Sequence, residues 1–380
     1  MKKNIPLFKV YMAKDVDRPL LDVIHSGWIG EGPKVEEFER NLKGYFGNPY
    51  LSTLNNGTAA LHLAYHMSLY PDCPKTSHLD TDSEIITTAI TCTATNTPII
   101  NNGAKIVWAD VDPLTGNIDP KDIERKITKK TKAIAMVHWG GNPCLIDEIN
   151  AIAKAYNIKT IEDAAHGIGM MYKGKPVGNA SDYTCISLQA IKSITSVDGG
   201  ILMMRDKKAY ERAMLLRWYG IDRTRREGVD LRCEIDVEEA GYKFHMNDVC
   251  ALIGNANFAH LEEIVSRHRA NAAYYDEVFS SCEEITIAPE NPDGKSSYWL
   301  YTIHVKNRDE VMRKLNEAGI MSSKVHARND THSMFNEYRT ELPNAEKFNQ
   351  SHLCIPVGWW VSDEDREYIA DTVIKIVKGM

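Results

Sequence analysis

The chain predicts an α/β fold: a large unit around a mostly parallel sheet, then a smaller α+β unit. The first observation behind this is alternation. Short apolar runs of strand character and helix-spaced amphipathic segments take turns as far as about residue 205. The second is a change of pattern, since the C-terminal part carries one strand-like segment between helices. The third is size, because 380 residues exceed one ordinary domain. The expected division is 1–255 and 256–380.

The elements follow in order. KVEEFERNLKGYFG sets Val35, Phe38, Leu42 and Phe46 at helical spacing with charges between them. It follows a turn at Gly30-Glu31-Gly32-Pro33, with proline near the helix start. YLSTLNNGTAALHLAYHMSLY reads as a short strand, a turn over Asn55-Asn56-Gly57-Thr58 and a helix rich in Ala and Leu. SEIITTAI is a strand, CTATNTPIINNG a helix ending at Gly103, and AKIVWADVD a strand. KAIAMVHW, LIDEINAIAKAYN and IKTIEDAA give strand, helix and strand, and YTCISL and GGILMM two further strands. RWYGIDRTRREGVDLRCEIDVEEAG is charged and reads as loop. One long helical stretch is expected from Asn247 to about Ser280, then a strand in SYWLYTIHV, a helix around VMRKLNEAG and a terminal helix from near Ser362. There is no internal repeat and no low-complexity linker.

Composition narrows the function classes. The chain is 43% hydrophobic and 26% charged, as globular proteins with an ample core are. Its net charge is −7, with signs interspersed and no basic block, which argues against nucleic acid or a membrane surface as main partner. Cysteines 73, 92, 144, 185, 233, 250, 282 and 354 show no CxxC or paired spacing. Several, such as Cys185 and Cys354, lie in apolar runs, and a reducing compartment fits them. MKKNIPLF is basic but lacks the apolar run of a signal peptide, and no stretch is apolar enough to span a bilayer. The expected location is cytoplasmic.

Three segments carry candidate chemistry. In NNGTAALHLA, Asn56, Gly57 and Thr58 stand where a helix begins, and unpaired N–H groups with the positive dipole end favour an anion there. Ordinary N-capping by Asn or Thr explains the same residues. No Walker loop exists, and Gly30-Glu31-Gly32 follows no clear strand, so no dinucleotide fingerprint is supported. In IKTIEDAAHG, Glu162 and Asp163 close an apolar strand, where α/β sheets place ligand groups. Asp163 would pair with a cationic ring nitrogen or a metal, or cap a helix, and His166 follows three residues later. His62 and His66 have zinc-like spacing, but no third ligand lies near in sequence, so no metal is expected. Finally, SLQAIKSITSVDGG holds one lysine, Lys192, among apolar and small residues. Alone it reads as a solvated turn.

Together the three make a layout for pyridoxal phosphate. The phosphate needs N–H and hydroxyl donors, the pyridine nitrogen a carboxylate, and the aldehyde a lysine amine. Seven segments in order also carry a resemblance: SGWIGEGPKVEEFE, NNGTAALHLA, GAKIVWADVDPLTGNID, IEDAAHGIGMMYKGKPVG, SLQAIKSITSVDGG, GYKFHMNDVCALIG and IPVGWWVSDED. Through them the chain resembles the DegT/DnrJ/EryC1/StrS sugar aminotransferases, within the type I, aspartate-aminotransferase-like, pyridoxal-phosphate fold.

The resemblance implies roles. Lys192 is then the lysine that takes up the cofactor's aldehyde. Asp163 pairs with the pyridinium nitrogen, and His166 stands where the family commonly has glutamine beside the ring hydroxyl. Gly57, Thr58 and Ser187 match phosphate-binding positions, and Gln189 a polar position before the lysine. Two positions depart from the pattern. Cys92 replaces the usual aromatic residue stacked on the cofactor ring. Lys243 and His245 in GYKFHMND stand where many members have Asn and Arg, in a segment the family contributes across a homodimer interface. Lys243 is therefore expected either to reach the partner's phosphate or to be a surface residue.

The implied function is transfer of an amino group from an amino acid, glutamate being the expected donor, to a nucleotide-linked keto-sugar in polysaccharide biosynthesis. Two alternatives stand beside it. A sugar dehydratase of the same fold has histidine in place of the lysine, and a silent regulatory homologue needs no intact Lys–Asp pair. This chain keeps Lys192 and Asp163. Substrate contacts are expected from His326, Arg328 and His332 in VHARNDTH and from Trp28, with Arg328 either gripping a diphosphate or making a surface salt bridge.

Overall fold

The computed structural model describes residues 3–71, 82–223 and 236–380. Helices α1 (Asp17–His25) and α2 (Pro33–Phe46) lead into strand β1 (Leu51–Leu54) and helix α3 (Gly57–Leu69). Then come β2 (Glu84–Thr88), α4 (Thr93–Asn101), β3 (Lys105–Ala109), α5 (Pro120–Lys126), β4 (Thr131–Val137), α6 (Ile146–Tyr156) and β5 (Lys159–Asp163). After the short strands β6 (Met171–Tyr172) and β7 (Lys175–Pro176) come β8 (Tyr183–Ser187), β9 (Gly200–Met204) and α7 (Lys207–Leu216).

Seven strands form one sheet in the order β1-β9-β8-β5-β4-β2-β3. The run β8-β5-β4-β2-β3 is parallel, and β9 lies antiparallel to both β8 and β1. Both faces of this sheet are covered, which explains the unbroken apolar runs that a half-exposed strand would not tolerate. Ile85, Ala133, Ala135, Ile161 and Leu202 pack on one face with α3. Ile86, Ile134, Met136, Ile186 and Ile201 pack on the other with α2 and α6.

The expected single helix from Asn247 to Ser280 is two, α8 (Asp248–Phe258) and α9 (Leu261–Phe279). At the break His260 N–H bonds Asn257 O at 3.0 Å, and α9 starts at the next residue. Asn257 is fully buried, and its side-chain amide donates to Thr195 O (2.7 Å) while its Oδ1 accepts from Ala13 N (2.8 Å). Beyond the break the chain changes direction. The start of α9 joins the large unit's core through Leu261, Ile264 and Val265, and its end joins a second core through Ala272, Tyr275 and Phe279.

That second core backs a sheet of order β10-β12-β13, where β10 is Ile285–Ile287, β12 Tyr301–Val305 and β13 His352–Ile355. The small strand β11 (Gly294–Lys295) pairs with β6, and helices α10 (Arg308–Glu317), α11 (Pro343–Ser351) and α12 (Asp363–Lys378) complete the chain. Ile5 pairs with Ile320 and lies in this C-terminal core, so the N-terminal strip crosses from one unit to the other. Cys144, Cys185, Cys282 and Cys354 are buried, Cys250 is half-buried and Cys92 is exposed. Cys73, Cys233 and much of the charged segment after Ile221 lie outside the described residues. Among the described residues no helix is long and apolar enough to cross a membrane.

Candidate active site

A cavity of about 990 Å³ opens at the C-terminal edge of the parallel strands, where such sheets expose loop and helix-start groups. Gly57, Thr58, Cys92, Asp163, His166, Ser187, Gln189, Lys192 and His326 all border it. Chain segments far apart in sequence thus meet in one space.

The start of α3 forms one end of it. Asn56 Oδ1 accepts from Ala59 N–H at 2.7 Å, so capping and anion binding are not rival readings. The cap takes one donor, and helix geometry leaves the N–H groups of Gly57 and Thr58 without intrahelical acceptors. Glycine is needed here for close approach. A Cβ on Gly57 would stand 2.9 Å from Ser187 Cβ, and one on Gly200 would stand 2.2 Å from Asn56 O. These two glycines let the helix start press against the ends of β8 and β9, where Thr58 and Ser187 both border the cavity. Gln189 works inside the next turn, its Oε1 accepting from Ile191 N–H (3.1 Å) while its own N–H donates to Ser187 Oγ (3.3 Å).

Asp163 ends β5 and is 3% exposed. Thr95 Oγ1 donates to its Oδ2 at 2.6 Å, and Ala165 N–H donates to its Oδ1 at 3.0 Å. Thr91 Oγ1 lies 2.6 Å from Thr95 Oγ1, extending the relay into the loop before α4. Burial pushes the Asp163 carboxyl above its ordinary pKa, and the two hydrogen bonds and the Lys192 amine oppose that rise. A buried carboxylate with fixed oxygens is suited to a cationic N–H. Glu162 points to the other face of the sheet, where it accepts from His138 Nε2 at 3.0 Å. Cys144 N–H donates to His138 Nδ1, leaving hydrogen on Nε2 for that bond.

Lys192 Nζ sits 3.9 Å from the centroid of the Trp299 ring. Burial lowers its pKa from 10.5 to about 8, against the opposing pull of Asp163 and Cys92. An amine in that range is partly neutral near pH 7, as a nucleophile must be. His166 stacks on Trp299 with centroids 3.9 Å apart and planes 21° from parallel. Burial, with Lys192 and two neighbouring histidines, holds its pKa well below 6.5. Gly140 N–H donates to His166 Nδ1 at 3.3 Å, so the neutral ring carries its hydrogen on Nε2 and offers a donor.

Three expected substrate contacts are placed elsewhere. Arg328 grips Asp330 through Nε (3.0 Å) and Nη2 (2.6 Å), and Glu346 through Nη1, and it does not border the cavity. His332 stands outside the cavity wall beside that network. Trp28 is 56% exposed, with its indole N–H turned back to Glu31 O, and does not border the cavity. His326 does border it. Its Nε2 is buried with no hydrogen-bond partner among the described residues, and burial beside Lys192 lowers its pKa to about 4.

Lys243 is exposed, its Nζ 4.5 Å from the Trp218 ring centroid. The adjoining backbone holds the anion loop, since Phe244 O accepts from Asn55 N–H at 2.7 Å and Lys243 O from Asn55 Nδ2 at 3.2 Å. His66 binds Glu239 (2.8 Å) and Tyr242 (3.1 Å), and His62 packs edge-on against Tyr242 and Phe244. The sequence reading missed Thr95, Trp299 and the N-terminal Phe8, all on the cavity wall. Only Thr95 left a signal, one helical turn beyond Cys92 at the start of α4.

An amine, a buried carboxylate and a helix start about one cavity are the kinds of partner that the three functional groups of pyridoxal phosphate require. Residues 11–374 match the model of the DegT/DnrJ/EryC1/StrS aminotransferase family, and the chain belongs to that family of pyridoxal-phosphate-dependent aminotransferases. It is 36% identical to the sugar aminotransferase CalS13 from Micromonospora echinospora, with a TM-score of 0.92, covering 98% of this chain and 99% of that one. A putative sugar aminotransferase from Streptococcus pneumoniae, Spr1654, in its PLP form matches at 26% identity and TM-score 0.88, covering 99% of each chain. Among curated relatives, a UDP-4-amino-4,6-dideoxy-N-acetyl-beta-L-altrosamine transaminase of Campylobacter jejuni is 30% identical over 97% of both chains.

Proposed function

We propose that this aminotransferase moves an amino group from an amino acid, glutamate in the first instance, to a nucleotide-linked keto-sugar. The observation that carries the proposal is the meeting of Lys192, Asp163 and the start of α3 in one cavity. When bound there, the cofactor supplies the carbonyl that receives the donor's nitrogen and the ring that takes up electrons. The chain's residues do the rest. Gly57, Thr58 and Ser187 hold the phosphate, and Asp163, held by Thr95 and Ala165, keeps the ring nitrogen protonated. His166 Nε2 donates to the ring oxygen. Lys192 Nζ holds the cofactor and, once released, takes the proton from the donor's Cα and returns one to the acceptor carbon.

Size supports a sugar substrate. A cavity of about 990 Å³ lies at the top of the range for small-molecule sites, enough for the cofactor and a second ring. His326 Nε2 is a polar group in need of a partner on that wall. Lysine at position 192 favours transfer over the dehydratase alternative, and the retained Lys–Asp pair favours an enzyme over a silent homologue. Among the described residues, Lys192 is the one Lys or Arg on the wall, so an anionic substrate draws its counter-charge from beyond it. A homodimer in which Lys243 faces the neighbouring cavity supplies such a charge. On the same reading, residues 1–255 bind the cofactor and 256–380 form the smaller unit, apart from the end of α8 and the start of α9, which stay with the larger core, and the enzyme works in the cytoplasm.

The test screens nucleotide keto-sugars against the pyridoxamine form and follows its absorbance. A UDP- or GDP-linked keto-sugar should discharge it at micromolar to millimolar concentration. If simple keto-acids alone discharge it, the sugar assignment is wrong.

A further inference from the structure

Trp299, just ahead of β12, meets both Lys192 and the turn that carries it. Its Nε1–H donates to Ile191 O at 2.9 Å, fixing the residue next to the lysine in the turn that carries it. Its ring lies 3.9 Å from Nζ and stacks with His166 at 3.9 Å and with Phe8 at 4.9 Å, so the indole is held by neighbours on separate parts of the chain. A lysine that holds a cofactor covalently must let go of it in each half-reaction. Its freed amine then needs a defined place close to the reacting carbons.

We propose that Trp299 is a positioning residue for Lys192, its ring face being the seat of the released amine and its Nε1–H bond the tie that aims the turn. This rests on the assignment of Lys192 made above. The chemistry of the seat suits the task, since an aromatic face attracts an ammonium and gives it up without breaking a directed bond. A carboxylate in the same place would hold the proton too firmly. The charged and titratable groups facing Lys192 are Asp163, Cys92, His166 and His326. Asp163 is already engaged by Thr95 and Ala165, and the two histidines are neutral at pH 7. The ring face is therefore a seat that favours the protonated amine beside the longer-range pull of Asp163 and Cys92.

The experiment uses the full-length protein loaded with pyridoxamine phosphate, in which Lys192 is free. Its titration is read from the pH dependence of Lys192 acetylation by trace acetic anhydride, with the peptide resolved by mass spectrometry. Trp299→Leu should lower the midpoint by about half a pH unit or more, and Trp299→Phe by less. Fluorinated tryptophans, which weaken the ring's negative face without changing the fold, should lower it stepwise with each added fluorine. The fluorinated series decides the matter if Trp299→Leu does not fold. Midpoints that match wild type in the folded variant or across the series overturn the proposal. Borohydride reduction of the pyridoxal-phosphate form separates the two readings. Cofactor found on a peptide other than that of Lys192 overturns the site assignment, whereas cofactor on Lys192 with unmoved midpoints overturns only the role of Trp299.

Discussion

At the residue scale the site divides labour between an amine and a carboxylate. Lys192→Ala should lower transamination by about 100- to 10,000-fold, the range for removing a positioned acid–base group, with an unchanged circular-dichroism melt. Wild-type turnover in that variant would remove the lysine from the chemistry. Asp163→Asn keeps the shape but takes away the charge partner of the ring nitrogen. A charge-assisted hydrogen bond of about 1.5–3 kcal/mol corresponds to a loss of roughly 10- to 100-fold in single-turnover rate. An Asp163→Asn enzyme as fast as wild type would leave position 163 with no more than a capping role. The pH dependence has a definite sign. Only the neutral amine attacks an aldehyde, and burial brings the Lys192 pKa down to about 8. Attachment of pyridoxal phosphate to the cofactor-free protein should therefore rise with pH and level off above about 8, not near the 10.5 of an ordinary lysine. Stopped-flow absorbance over pH 6 to 10 checks this.

At the scale of elements, the critical joint is α3 against the ends of β8 and β9. Gly57→Ala brings a methyl within 2.9 Å of Ser187 Cβ. Such overpacking costs about 1–3 kcal/mol, which should appear in chemical denaturation. Because the same shift would disturb the proposed phosphate site, cofactor affinity should fall as well, by about tenfold for each 1.4 kcal/mol lost there. A variant that lost stability but bound the cofactor normally would separate the joint from the cradle. This joint was largely legible in the sequence, because helix starts, strand ends and a small-residue turn are all local patterns. The break between α8 and α9 was not. Beside it Asn257 meets Thr195 and Ala13, contacts across more than sixty residues that no periodicity records. The surroundings of Arg328 were equally hidden, since an arginine in a loop reads alike whether it faces a diphosphate or, as in this chain, pairs with Asp330 and Glu346. Trp299 was passed over as one more aromatic in an apolar strand, because what marks it is Lys192 above its ring, about a hundred residues earlier in sequence.

At the scale of the whole molecule, the N-terminal strip and α9 tie the two units together while the cavity wall stays poor in cations. Leu21, Ile24, Trp28 and Ile29 are all exposed, on and just after α1. In the proposed dimer, Lys243 of each chain serves the other chain's cavity. Mixing two defective chains tests this directly. Lys192→Ala destroys a chain's own site but leaves its Lys243 to be lent, and Lys243→Asn does the reverse. If Lys243 acts across the interface, each mixed dimer contains one site with both groups intact. Tight cofactor binding and turnover should then return toward half the wild-type value per dimer after subunit exchange. If Lys243 acts within its own chain or only on the surface, mixing restores nothing beyond the activity of Lys243→Asn alone. Cys92→Phe adds a second axis. An aromatic contact of about 0.5–1.5 kcal/mol beyond its buried area should tighten cofactor binding about two- to tenfold. That gain should be larger where Lys243 is missing, if the lysine offsets the small side chain at position 92. Equal gains with and without Lys243 would show that the two positions act independently, and weaker binding on Cys92→Phe would mean the cysteine leaves room for the sugar.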